Sequence, residues 1–138
     1  MRICDCQGFL KHFSFASKHI SLQDVLLDRD LAMLGDAYVN FVYSLALSEK
    51  QHKPVGRKLK SSVLAMAVRN SGLRSLLPSR TDRHKQADAA EALIVYAWLN
   101  KVVSLEEAVY IIMKEESLED AFCSLLQVIV EKLKMEKA

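Results

Sequence analysis

Three acidic side chains in otherwise apolar segments are the residues of this sequence best suited to chemistry. Asp36 lies in LAMLGDAYVN, residues 31–40, while Asp88 and Glu91 lie in ADAAEALI, residues 87–94. An ionised carboxylate is seldom buried unless it is paired or binds a metal, because removing it from water is costly. Hard cations such as Mg²⁺ prefer oxygen ligands of this kind. The pattern predicts either a metal site or a network of ion pairs with Arg or Lys, and spacing alone leaves both open.

The helical spacing of these acids predicts which way their side chains project. Asp88 and Glu91 are three residues apart and so project from one helix face, where they can bind one object. Asp36 has Asn40 one turn on, in a helix that is apolar on most sides, and we expect it to face protein rather than bulk water. Gly35 costs roughly 1 kcal/mol relative to Ala inside a helix, which predicts that another backbone comes close there.

The elements that must position these residues all have helical signatures. Ser21, Ser104 and Ser117 each stand three residues before an acid, as N-cap residues do. Three longer runs, from about 30 to 48, 57 to 71 and 82 to 101, complete the pattern. The sequence therefore predicts an all-α bundle of about six helices.

Length and composition fit one domain. The chain has 138 residues, of which 51% are hydrophobic, enough for one sizeable core, so residues 1–138 are predicted to form a single domain. The longest unbroken apolar run, 92–99, is far shorter than the roughly 18 residues of a membrane span, and no membrane partner is expected. The charged start and the odd cysteine count, with Cys4 and Cys6 one residue apart, favour a reducing cytoplasmic location.

The charge distribution is uneven. The net charge is +2, but residues 50–85 contain ten basic residues and one acid, a local net charge of +9. Such a segment can attract a polyanion, and nucleic acid is the obvious class. The alternative is a solvated basic face with no partner.

Two segments resemble a known family. LAMLGDAYVNFVYSLAL at 31–47 resembles the signature helix of the ribonuclease III family, and ADAAEALIVYAWL at 87–99 resembles the same family's second helix. Both occur in the family's order, and the resemblance covers a core of about residues 20–125. It is closest to the small Mini-ribonuclease III branch, which has no separate double-stranded-RNA-binding domain.

The resemblance implies an enzyme. Asp36, Asp88 and Glu91 match the residues with which the family binds Mg²⁺, or Mn²⁺ as a substitute, at the scissile phosphate. The implied reaction is hydrolysis of double-stranded or structured RNA in RNA processing, giving 5′ phosphate and 3′ hydroxyl ends. The implied state is a homodimer, with Met33 and Gly35 at its interface, although Met33 as an ordinary core residue is the alternative.

One position departs from the family pattern. Where longer members have Glu four residues before the signature Asp, this chain has Ala32, as the small branch does. This puts a full two-metal site in doubt and keeps a second interpretation open, a catalytically weak or inactive relative that binds RNA or a ribonucleoprotein. In either case this one domain must hold the RNA, and the basic residues predicted to contact its phosphates are Arg57, Lys58, Lys60, Arg83 and Lys85.

Overall fold

The computed structural model describes residues 13–16 and 18–137, and this part of the chain is helical, without a strand. The predicted all-α class is confirmed. The helices are α1 (Leu22–Leu26), α2 (Arg29–Gln51), α3 (Ser61–Ser71), α4 (Arg83–Leu99), α5 (Leu105–Lys114) and α6 (Leu118–Lys137), with a 3₁₀ turn at Leu73–Leu76. The predictions that concern Cys4 and Cys6 fall outside the described residues.

Side-chain caps explain where most of the helices begin. The predicted caps Ser21, Ser104 and Ser117 each accept a hydrogen bond from the backbone N–H three residues on. The two helices that carry the acids start in the same way. The carboxylates of Asp28 and Asp82 accept the backbone N–H three residues on at 3.0 and 2.9 Å. These caps satisfy donors that would otherwise lack partners and so fix the first turns of α2 and α4.

The prediction that the third helix begins near residue 57 is wrong, because α3 begins at Ser61. The preceding segment is an irregular loop held by tertiary hydrogen bonds. The Ser44 hydroxyl accepts the backbone N–H of Arg57 at 2.9 Å and donates to its carbonyl at 3.0 Å. The end was predicted correctly, since Gly72 has a φ of 89° that favours glycine.

Helix α4 is the centre of the bundle and packs against α1, α2, α3 and α6. From Gln86 to Leu99 most of its side chains are buried, several of them alanines that let neighbouring helices approach closely. A helix with apolar side chains on every face needs protein on every side. Its N-terminal turns, which carry Asp88 and Glu91, lie at the edge of this core, since Arg83, Lys85 and Asp88 are exposed.

Helix α2 is long and apolar enough, by length and hydropathy alone, to cross a membrane. A core helix of a globular protein has the same properties, and α2 packs along α4 and α5. Helix α2 does not contain the longest unbroken apolar run of the sequence, because Gly35, Asp36 and Asn40 interrupt its apolar residues.

Candidate metal centre and active site

A close contact between α2 and α4 organises the site. A Cβ placed on Gly35 would collide with the carbonyl carbon and oxygen of Glu91, so only glycine permits this approach. The predicted close approach of another backbone is therefore confirmed. Because Asp36 follows Gly35 directly, the contact brings an acid of α2 beside an acid of α4.

The carboxyl groups of Asp36 and Glu91 are within hydrogen-bonding distance of each other. Glu91 is buried, with 9% of its surface exposed. Burial first, then the hydrogen bond to Asp36 and the charges of Asp36 and Asp88, raise the pKa of Glu91 to about 8, against a smaller opposing effect of Lys58. At neutral pH Glu91 is therefore mostly protonated and donates to the Asp36 carboxylate.

No basic side chain neutralises this cluster within the described part of the chain. The ion pairs found there join His19 to Asp28 and Lys132 to Glu107, elsewhere in the fold. The ion-pair network that sequence left open as the alternative for the three acids is not formed among these residues. Their mutual repulsion is instead relieved by a proton on Glu91, and a bound cation can replace that proton.

The expectation that Asp36 faces protein is wrong, since Asp36 and Asp88 are both exposed and Glu91 alone is buried. Both exposed acids line an open cleft beside the contact between α2 and α4. Asp36 is nevertheless held, because the Asn40 amide donates to its carboxylate at 3.2 Å while the Asn40 carbonyl accepts the backbone N–H of Leu59 at 2.8 Å. Asn40 thereby links the acid to the loop before α3.

The three acids share an open cleft of about 620 Å³. Its lining residues are Arg29, Asp30, Ala32, Met33, Asp36, Asp88 and Glu91. Asp30 is a fourth acid that the sequence reasoning missed, having used it only to mark a helix start. Asp30 is two residues before Ala32, the position at which longer family members have Glu. This spacing is the signal in the sequence that would have identified Asp30 as a candidate.

The donor set fits a hard divalent cation. Within residues 13–16 and 18–137, no three His, Cys, Asp or Glu side chains lie close enough together to enclose an ion by themselves. Mg²⁺ does not need such an enclosure, since it keeps several waters and commonly binds through one or two carboxylates and substrate phosphate. The contact between Asp36 and Glu91, with Asp88 at the edge and solvent beyond, meets that requirement.

The five predicted RNA-binding residues are all exposed, and they differ in their distance from the acids. Lys58 is near enough to Glu91 to affect its pKa. Lys85 lies one helical turn before Asp88 in α4, and Arg83 stands at the first position of that helix. The other two, Arg57 and Lys60, lie along the loop before α3.

The two predicted interface residues have different surroundings. Met33 is 74% exposed, so the alternative that it is a core residue is wrong. Gly35 is buried against Glu91 of its own chain, and this contact alone requires a glycine, while its predicted interface role stays a prediction. Leu34 and Phe41 extend the exposed apolar face of α2 beyond Met33.

Comparison with known protein families identifies a match over most of the chain. A family model described as Ribonuclease III matches residues 29–135, a range that contains both acidic segments and runs from the start of α2 almost to the end of α6. A search of curated proteins finds no relative that matches.

Proposed function

Because the chain belongs to the ribonuclease III family, we propose that it is a Mg²⁺-dependent endoribonuclease that hydrolyses phosphodiester bonds in double-stranded or structured RNA. The family membership supports RNA cleavage in general. The observation that carries the more specific proposal is the contact between Asp36 and Glu91, acids from two helices that meet at an open cleft and form no ion pair with the described basic residues.

In this proposal Asp36 and Glu91 bind the ion directly and Asp88, at the edge of the pair, binds it through a water molecule, with Mn²⁺ as a substitute for Mg²⁺. When bound, the ion supplies Lewis-acid stabilisation of the charge that builds up on the scissile phosphate. Glu91 gives up its proton when the site is loaded, since a ligand carboxylate must be ionised. Asn40 orients Asp36, and the cleft leaves space on its solvent side for a phosphate and an attacking water.

The charges around the cleft explain how a polyanion reaches a cluster of acids. Two exposed cations lie close to the acidic cluster, Lys58 near Glu91 and Lys85 beside Asp88. They offset the repulsion between carboxylates and RNA and orient the backbone across the cleft. Attack of water in line with the 3′ oxygen then leaves a 5′ phosphate and a 3′ hydroxyl.

We further propose that the protein acts as a homodimer through the exposed face of α2. Met33 is 74% exposed and Phe41 is 54% exposed. The two residues are eight positions apart, a spacing that places them within one broad face of the helix. Exposed apolar side chains in a row on one helix are typical of a protein interface. Met33 also lines the cleft, so a partner would border both the interface and the site.

A second function is favoured by one observation, the presence of Ala32 in the cleft where longer relatives have Glu. A site with one carboxylate fewer could bind structured RNA or a ribonucleoprotein without cutting RNA. Asp30 in the same cleft is the residue best placed to compensate.

The direct test incubates the purified chain with a long RNA duplex in Mg²⁺ or in EDTA and examines the product ends. The proposal expects cleavage only with Mg²⁺, with products that a ligase can join because they carry 5′ phosphate and 3′ hydroxyl groups. Stable binding of the duplex without cleavage in either Mg²⁺ or Mn²⁺ would support the second function instead.

A further inference from the structure

A second, smaller chamber of about 300 Å³ adjoins the cleft. The two share Arg29 and Asp88, so a molecule bound in one is next to a molecule bound in the other. Part of the chamber is lined by apolar side chains, among them Leu26, Leu77 and Pro78. Of the residues that line the chamber, only Asp88 and Lys85 have a part in the function proposed above.

One wall of the chamber is a hydrogen-bonded loop. The Arg74 guanidinium donates to the carbonyl oxygens of Pro78 at 3.1 Å and of Ser79 at 2.8 Å, and more weakly to that of Leu77. The Thr81 hydroxyl donates to the Pro78 carbonyl at 2.5 Å, and the Gln86 amide donates to the Thr81 carbonyl at 3.0 Å. These bonds fix the wall before any ligand arrives, which lowers the entropy lost on binding.

The polar lining of the chamber is cationic. Arg29, Arg80 and Lys85 line it, against the acids Asp28 and Asp88. The charge of Asp28 is already engaged, because its carboxylate caps α2 through the Leu31 N–H and lies 2.8 Å from the His19 ring. The remaining charge therefore favours an anion with an apolar part.

A nucleotide has both properties, a flat apolar base and an anionic phosphate. The volume of about 300 Å³ is at the lower end of small-molecule sites and far too small for a duplex. A base must leave the helix to enter, and an unpaired base does so at little cost. Apolar surfaces and guanidinium planes are the usual supports for such a base.

Resting on the proposed function, we propose that this chamber receives one unpaired nucleotide of the RNA next to the bond that is cut. The shared residue Asp88 places that nucleotide beside the scissile phosphate. The substrate class is then RNA in which an unpaired nucleotide, as in a bulge or at a loop boundary, adjoins a helix. A fully paired duplex leaves the chamber unused.

The test measures binding of two hairpin RNAs, without metal, to the protein carrying Glu91→Gln. One hairpin has a single unpaired 2-aminopurine in its stem, and the other carries the same base paired. We expect about tenfold tighter binding of the bulged hairpin, as stacking of one base provides, and a change in 2-aminopurine fluorescence on binding.

Two variants and one control identify the chamber as the cause. Leu27 lines the chamber and is 55% exposed, so Leu27→Trp fills the space with little disturbance of the core. We expect Leu27→Trp and Arg80→Ala to abolish both the affinity difference and the fluorescence change. Arg69→Ala, which removes an exposed arginine outside the chamber, should preserve both.

Equal affinity for both hairpins with unchanged fluorescence would overturn the proposal. So would a loss of affinity in Arg80→Ala that is the same for both RNAs, since that result means contact with backbone phosphate alone. Cleavage of fully paired RNA by the unmutated chain would then leave the proposed function intact. Bulge-specific binding without cleavage of either RNA in Mg²⁺ would instead contradict the proposed function and still support binding of an unpaired nucleotide in the chamber.

Discussion

Gly35 lies directly against the backbone carbonyl group of Glu91, and this contact joins the packing of the protein to its chemistry. The absent side chain lets α2 and α4 approach until Asp36 and Glu91 are in hydrogen-bonding distance. A helix interior normally disfavours glycine. Here glycine is required all the same, because only a residue without a side chain lets Asp36 and Glu91 come together.

Gly35→Ala should destabilise the fold by about 1–3 kcal/mol, because the added methyl group collides with backbone that cannot easily move. The free energy of unfolding from urea titrations measures this. Gly56→Ala is the matched control, since a Cβ there meets nothing within 4 Å. A Gly35→Ala protein as stable as the Gly56→Ala protein would mean that the two helices are not in close contact.

The metal-free protein should lose stability as the pH rises from about 4.5 toward 8. The folded state raises the pKa of Glu91 from 4.5 to about 8, so in this window it binds a proton that the unfolded state has released. The expected slope approaches about 1.4 kcal/mol per pH unit for one proton. Below and above the window this contribution to the slope vanishes.

Glu91→Gln removes the titrating group while keeping its shape, so its stability should vary much less with pH over the same window. Chemical denaturation in EDTA at several pH values gives the comparison. Identical pH profiles for the two proteins would show that the Glu91 carboxyl is not kept neutral by its surroundings.

Mg²⁺ or Mn²⁺ should raise the melting temperature of the chain, because a ligand that binds only the folded state stabilises it, by about 2.7 kcal/mol at a hundred times its dissociation constant. Asp36→Asn should remove most of this shift. Asp30→Asn should reduce it less, since Asp30 lines the same cleft but is not among the acids that raise the pKa of Glu91. A full shift in Asp36→Asn would exclude this residue as a ligand.

Met33→Glu should convert the protein from dimer to monomer, because a charge at the centre of an apolar interface must be desolvated without a partner. Sedimentation velocity reports the change. Met135→Glu is the control, as Met135 is 75% exposed against 74% for Met33 and lies near the end of α6. A monomeric unmutated chain would contradict the proposed dimer at once.

The sequence predicted what local chemistry determines. The serine caps were identified because a cap and its acid are three residues apart. The contact at Gly35 was predicted because glycine inside a helix needs a reason. The start of α3 was not, because the loop before it depends on Ser44, thirteen residues away from Arg57.

The surroundings of the acids could not be predicted at the same level. Exposure of Asp36 and Asp88 depends on which parts of α2 and α4 other elements cover, and no pattern within either helix predicts that. Arg74 counted in sequence as one charge of a basic segment, yet it points at the carbonyls of the loop from Leu77 to Ser79. The chamber beside the cleft follows from that loop and has no signature in the sequence.

The central claim is that acids from α2 and α4 form one catalytic centre. The most direct test compares cleavage of a long RNA duplex in Mg²⁺ by the unmutated chain and by Asp36→Asn, Glu91→Gln and the exposed control Glu131→Gln. We predict that the first two substitutions abolish cutting while folding and dimerisation persist, and that Glu131→Gln cuts normally. Equal cleavage by all four proteins would contradict the assignment of the site.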